Sequence, residues 1–365
     1  MNVKERTLAA LRGEEPDMIP FLIYSSILPR GSVGRKLRNM GLGLCVHAPV
    51  YEVDTHNVRV EENARAVLVL LEGLSKKPLH RVYRTPVGDV SITLRTDISQ
   101  IPWTREYLIK DLSDYEVITY IIENTEFYPD YEAFLSVERN LGEDGVVPAI
   151  VERSPLQKLT LEIMGYRRFS IDLYRHPKEL EDLLRVIEKK EDEIYRIAAE
   201  SPAEIIWCPD NIDGATIGPK LFEKYCIPFY NRMARLLHKR GKIFEVHMDG
   251  RLKCLRDLIP KTEIDVVEAF TPPPMGDLPL AEARATWGEK YAIWMNFPGS
   301  VFMLGEKAVR KRALELLREA APGNRFVMGV TEDIAGDTMN PYMEGGLKAV
   351  LEVLREYGHY PIRLS

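Results

Sequence analysis

The chain has 365 residues, 45% of them hydrophobic, and a formal net charge of −6. That is enough apolar material for one large α/β domain or two smaller ones, and the mild acidity argues against a nucleic-acid binder, which would show a basic stripe. No apolar run approaches membrane-spanning length, and the opening MNVKERTLAALRG reads as a charged amphipathic helix without a signal-peptide core, so a cytoplasmic protein away from membranes is expected.

The four cysteines, Cys45, Cys208, Cys226 and Cys254, form no CxxC pair, so neither a zinc ribbon nor a disulfide framework is signalled. Val3 to Leu11 is a short helix stopped by Gly13 and Pro16. Ile19 to Tyr24 is an apolar strand, and Leu42 to Val46 is a second, ending at His47. From Tyr51 to Asp97 the pattern turns to alternation. His80 to Tyr83 and Val90 to Arg95, joined across Pro86-Val87-Gly88-Asp89, predict an antiparallel hairpin. Tyr107 to about Leu141 reads as helical with a break near Pro129. Val146 to Val151 is then a buried strand, and Pro155 to Met164 and Pro177 to Ala199 are helices.

Glu204 to Cys208 is the next strand, and Pro219 to Lys239 is helical with an interruption at Pro228. Ile243 to Val246 and Ile264 to Val267 are strands flanking a helical segment, Leu252 to Ile259. Leu278 to Trp287 is a short helix and Tyr291 to Met295 a strand. Lys307 to Ala320 is a helix, Arg325 to Met328 the last strand, and Pro341 opens a final helix closed at Gly358. Eight strands alternating with helices predict a (β/α)8 TIM-type barrel, a single domain over 1–365. The stretch 51–97 is expected to be a β-rich insertion over one end of it, with too little apolar content for a private core. Neither GxGxxG after a strand nor GxxxxGK[ST] occurs, which weakens a nucleotide-binding reading.

In parallel α/β folds the carboxyl ends of the strands carry the chemistry. Here those ends offer Tyr24, His47, Glu152, Asp210, Asp213, His247, Asp249, Glu268, Asn296 and Glu332. His247 follows an apolar strand and should face the cavity, with Asp249 two residues on; such a pair can ligate one metal or form a carboxylate-oriented imidazole. Asp249 precedes Gly250 and competes as a helix cap. Asp210 and Asp213 bracket a turn that accounts for one of them, and Asp210 is favoured for function. Glu268 needs a partner or ligand, because a buried unpaired carboxylate is costly. Glu332 competes with a helix-start role. Trp207, Trp294 and Phe270 read as core or pocket wall, and Cys208 and Cys254 as small buried hydrophobes.

Two stretches carry a family resemblance: Lys4-Glu5-Arg6 through Gly13-Glu14-Glu15-Pro16-Asp17 to Ile19-Pro20, and His247-Met248-Asp249-Gly250 through Glu268 to Gly276-Asp277, with Trp287-Gly288 beyond. The chain resembles the uroporphyrinogen decarboxylase superfamily over most of its length. The arginine-rich RQAGR-like signature of true decarboxylases is absent; that region reads Tyr24-Ser25-Ser26-Ile27-Leu28-Pro29-Arg30-Gly31. The resemblance therefore implies the branch of corrinoid-dependent methyltransferases. Some of these hold zinc through a His-x-Cys pair and a later Cys. His247 matches the His, Asp249 stands in place of the first Cys and Val330 near the later one, which leaves an oxygen-rich zinc site on His247, Asp249 and a nearby carboxylate.

The implied reaction takes a methyl group from a small donor, of methoxy or methylamine type, to the cobalt of a separate corrinoid protein. His247, Asp210 and Glu268, with Glu332 behind them, are the expected catalytic residues, supplying a proton or Lewis-acid help. Tyr24, Glu152, Asn211, Asn296 and Trp207 are the expected substrate contacts. A homodimer is compatible with this reading. Two alternatives stand beside it: a cofactor-independent decarboxylase or lyase for a small acid, clamped by Arg30, Arg153 or Arg251, and a non-catalytic ligand-binding barrel.

Overall fold

The structure is a computed structural model that describes residues 1–62, 79–96, 102–331 and 339–364. Its contacts divide into two compact units, Met1–Val50 with Asp130–Val151 and Ala198–Ser365, and Tyr51–Pro129 with Glu152–Ile197.

The first unit is a parallel barrel. Its staves are β1 (Phe21–Tyr24), β2 (Gly43–Cys45 continued by Ala48–Pro49), β3 (Gly145–Val146 continued by Ala149–Ile150), β4 (Ile205–Cys208), β5 (Ile243–His247), β6 (Val266–Phe270), β7 (Ala292–Asn296) and β8 (Phe326–Val330). Each pairs in parallel with the next, and β8 returns to β1 through Phe21↔Met328 and Ile23↔Val330, so the sheet closes. β3 comes in two pieces around Pro148, which has no N–H to give to the ladder.

Strand alternation sends Leu22, Cys45, Val146, Ile205, Ile243, Val266, Ala292, Trp294 and Val327 inward, where they form one cluster with Leu8, Ala10 and Leu11. Those last three belong to the helix Val3–Arg12, which thus plugs the barrel from below. Asn2 and Glu5 cap it reciprocally, and Gly13 ends it at φ 81°, a conformation that glycine adopts without strain. Burying Leu8 and Leu11 is worth roughly 1.5–3 kcal/mol each.

The second unit holds a two-stranded antiparallel sheet, Tyr51–Thr55 with Thr125–Pro129, and a four-stranded one, Arg59–Glu62, Leu79–Thr85, Gly88–Thr96 and Pro102–Glu106. The predicted hairpin is present, closed by the pair Thr85↔Gly88. The helices are Asp114–Glu123, Pro155–Lys158, Gly165–Arg175 and Pro177–Glu200, with a π-turn at Leu159–Ile163.

Three expectations change. The helix expected over Tyr107 to Leu141 contains the strand Thr125–Pro129, because pairing with Tyr51–Thr55 outweighs local propensity. The helix expected at Leu252 to Ile259 is instead two 3-10 turns, Lys253–Leu255 and Ile259–Lys261, with Pro260 blocking further growth. Cys254 is exposed, whereas Cys208 is buried as expected. Among the described residues no helix is long and apolar enough to cross a membrane.

Candidate active site at the barrel mouth

The last inward residues of β1, β4, β5 and β6 are Tyr24, Trp207, His247 and Glu268. Registers Tyr24↔Cys45 and His247↔Glu268 fix their heights. β6 is irregular at this point: the ladder with β7 shifts between Val267 and Phe270, and Ala269 sits at φ 56°, a strained value for a residue with a Cβ. Such bulges re-aim side chains and collect beside active sites. Here the bulge immediately follows Glu268.

Glu268 is fully buried and is the hub of the group. Its Oε1 accepts the Tyr24 hydroxyl at 2.8 Å, and its Oε2 accepts the Trp207 indole N–H at 3.0 Å and His247 Nδ1 at 2.5 Å. The cost foreseen for a buried carboxylate is thus met by three donors from three other strands. On the far side of the ring, His247 Nε2 lies 3.6 Å from Asp249 Oδ2, and the Asn211 amide donates to that same oxygen at 3.2 Å. Asn211 reaches it from a left-handed turn at φ 52°, a conformation asparagine tolerates. His47 stacks on Trp207 with ring centroids 3.8 Å apart and meets Tyr24 edge-on at 4.7 Å.

Electrostatics set the protonation states. Burial works against the His247 cation, but the Glu268 charge and the hydrogen bonds to Asp249 and Glu268 outweigh it and lift the imidazole to about 10. His247 is therefore an imidazolium at neutral pH. Burial drives His47 the other way, down to about 4, so it is neutral. Burial would raise Asp249, yet the His247 bond and charge hold it below its ordinary range. The Cys45 thiol is pushed well up by burial and is inert as a nucleophile.

The other expected residues are placed as follows. Asp210 is buried and accepts the Tyr230 hydroxyl; Tyr230 lies among Phe222, Phe229 and Phe244, between strands and helices. Asp213 caps the helix Gly214–Leu221 and pairs with Arg251 at 3.2 Å. Asn296 donates to Thr271 and accepts from the Thr331 N–H, tying β7 to the end of β8. Glu152 belongs to the second unit, where it meets Tyr51 and Lys158. Arg153 pairs with Glu162, and Arg30 lines a recess with Arg35 and Arg38. Glu332 lies outside the described residues.

One residue was missed. Glu245 is two places before His247 on the inner face of β5, fully buried, and neither carboxyl oxygen has a hydrogen-bond partner among the described residues. Burial, with the nearby Glu268 charge, raises it well above the carboxylate range, so it is a neutral acid. Its parity with His247 in Ile-Phe-Glu-Val-His was the available signal.

A zinc ion implied by the resemblance finds a poor donor set. Asp249 and Val330 supply no thiolate, and among the described residues no group of three or more His, Cys, Asp or Glu could hold a metal.

The fold and site define a TIM-type α/β barrel with a buried histidine–carboxylate pair at its carboxyl rim. The chain belongs to the uroporphyrinogen decarboxylase (URO-D) family, whose model matches residues 88–356. Among solved structures it is similar to a methyltransferase from Methanosarcina mazei, with a TM-score of 0.58 and 12% identity over 98% of this chain and 99% of that one. Fainter likenesses reach the pneumococcal virulence factor StrH (TM-score 0.40, 8% identity, 97% and 86% covered) and the GH18 chitinase ChiB of Flavobacterium johnsoniae (0.35, 11%, 64% and 82%). At these identities the likeness is one of fold. No curated protein matches the chain.

Proposed function

We propose that the protein is a methyltransferase that demethylates a small methoxylated or methylamine-type donor, the methyl group passing to a separate corrinoid protein. Family membership and the barrel shared with the Methanosarcina mazei methyltransferase support the general class. The observation that carries the specific reading is the His247 imidazolium, held on Glu268 with its other nitrogen turned towards the rim.

Transfer of a methyl cation from a neutral methoxy or methylamino group leaves an alkoxide, phenoxide or amide anion that must be protonated. A general acid must hold its proton at the working pH and release it in the transition state, and an imidazolium lifted to about 10 is charged throughout the neutral range. In this scheme His247 donates the Nε2 proton to the departing atom. Glu268 fixes the ring through Nδ1, and Tyr24 and Trp207 fix Glu268. Asp249, steadied by Asn211, orients the donating N–H. Glu245, a neutral acid two residues earlier on the same strand face, passes its proton to the ring and takes one back from solvent. The corrinoid cobalt, carried by the partner, would supply the nucleophile.

The test mixes the protein with a reduced corrinoid protein and a panel of methoxylated and methylamine donors. The methyl-cobalt spectrum is expected with at least one donor and is lost in His247→Ala. Turnover of a small acid without any corrinoid would favour the lyase reading instead. Because the arginine-rich signature is missing, conversion of uroporphyrinogen to coproporphyrinogen is not expected.

A further inference from the structure

Where the chain leaves β1 and enters the helix Ser32–Asn39, the first unit carries a recess of about 290 Å³. Leu44, which lines it, is the neighbour of the inward-facing Cys45, so strand alternation puts the recess on the outer face of the barrel, away from the mouth group. Leu28, Pro29 and Leu44 make an apolar floor. Among the described residues every charged side chain that lines it is an arginine: Arg30, Arg35 and Arg38.

Only one of these cations is answered. Arg38 pairs with Asp144 at 3.1 Å, and that carboxylate is 62% exposed. Arg30 and Arg35 have neither an ion pair nor a side-chain hydrogen bond among the described residues. Three guanidiniums against one carboxylate leave two positive charges on the recess.

The backbone adds donors to the same place. The cap residue of the helix is Gly31, which has no side chain to satisfy the first N–H groups, and the first turn carries no acidic residue. The first helical bond runs from the Arg35 N–H to the Gly31 carbonyl, so the N–H groups of Ser32, Val33 and Gly34 have no partner within the helix. Gly31 and Gly34 both line the recess. Gly31 stands at φ 128°, open to glycine without strain, and nothing lies within 4 Å of where a Cβ would be. A Cβ on Gly34 would come 2.5 Å from the Pro29 carbonyl oxygen, so glycine lets the first turn close on the loop. The run Arg30-Gly31-Ser32-Val33-Gly34-Arg35 thus sets two free guanidiniums beside a bare helix start.

We propose that this recess binds a small phosphate monoester, with its phosphate between Arg30 and Arg35 and its organic body on Leu28, Pro29 and Leu44. Guanidinium forks match the paired oxygens of a phosphate, and the helix start favours the same charge. A dianion cancels both uncompensated charges, a sulfonate cancels one and an alcohol none. The proposal is independent of methyl transfer at the mouth.

Titration calorimetry of the full chain with phenyl phosphate, benzenesulfonate, benzyl alcohol and inorganic phosphate tests it. The titrations run at about pH 8, where the monoester is a dianion, in about 0.1 M salt, which screens distant charges. Phenyl phosphate should bind one to one with a Kd below about 1 mM, about tenfold or more tighter than benzenesulfonate and tighter than inorganic phosphate. Arg30→Gln and Arg35→Gln, both at exposed positions, should each weaken it about tenfold or more. Lys36→Gln removes a charge from the same helix outside the recess and should bind as wild type does. No saturable binding of phenyl phosphate, equal binding of the sulfonate or of inorganic phosphate, or wild-type affinity in a folded Arg35→Gln would each overturn the proposal. An equal loss in Lys36→Gln would overturn it too, because the effect would then be one of general surface charge. Should one arginine variant fail to fold by circular dichroism, the other and the ligand series in the wild type still decide.

Discussion

The two units bury ionic groups in opposite ways. At the barrel mouth one carboxylate, Glu268, collects three donors, one of them a cation, and is saturated. In the second unit one lysine serves two carboxylates, and an oxygen of Glu191 is left over. The first arrangement fixes a proton on a base, His247, and the second fixes a proton on an acid, Glu191. Saturation holds every member of the mouth in one geometry, whereas the second arrangement leaves one carboxyl oxygen buried without a hydrogen bond. Glu245 lies in the barrel yet follows the second pattern, with both carboxyl oxygens buried and without a hydrogen-bond partner among the described residues.

The largest expected effect is at the hub. Glu268→Gln keeps the volume but removes the counter-charge that holds the second proton on His247, so the ring goes neutral and the ion pair is lost. A loss of about 3–5 kcal/mol is expected in denaturant unfolding, and methyl transfer should fall by about 10²–10⁴ as the acid is lost. A variant as stable and active as wild type would break the account of the mouth.

Lys158→Met comes next. It removes the ammonium that Glu152 and Glu191 share, and a loss of about 3 kcal/mol is expected by the same measurement. Glu191→Met should do no harm, because it replaces a neutral acid by a packed apolar chain.

The comparison also separates on a pH axis. His247 is raised from 6.5 to about 10 on folding, so its stabilisation is complete below 6.5 and lost as pH rises through 10. Glu191 is raised from 4.5 to about 8, so stability falls as pH climbs from 4.5 through 8. Unfolding free energies measured across this range should lose the upper slope in His247→Gln and the lower slope in Glu191→Met. A swap of the two assignments would show that the proton-holding groups are misidentified.

The smallest effect is expected at Glu245. Glu245→Gln should change stability by less than about 1 kcal/mol, since one neutral polar group replaces another. It should nonetheless narrow the pH range of methyl transfer, and an unchanged pH–rate profile would remove Glu245 from the proton path.

Much of this was legible in the sequence. Apolar runs ending in polar residues marked the barrel staves and the rim, and the alternation around Pro86-Val87-Gly88-Asp89 marked the hairpin. Local patterns carried those features. The strand Thr125–Pro129 was not legible, because its partner lies at Tyr51–Thr55, far away in sequence. Glu268 could be seen to need partners, but that Trp207 and Tyr24 supply them depends on barrel closure and on the bulge at Ala269. Asp210 and His247 both follow strands, and only the fold shows one meeting Tyr230 and the other Glu268. Glu191 sits on a helix face that reads as solvated Glu and Lys; its burial comes from tertiary packing.

The central claim is that His247 is a cation pinned by Glu268, and NMR titration of its ring in the full-length protein tests this directly. Specific isotope labelling of histidine, with His247→Gln to assign the signal, gives the protonation state against pH. The account predicts a ring protonated on both nitrogens from pH 6 through 8, titrating near 10, and reverting to a neutral ring at pH 7 in Glu268→Gln. A wild-type ring that is already neutral at pH 7 would contradict it.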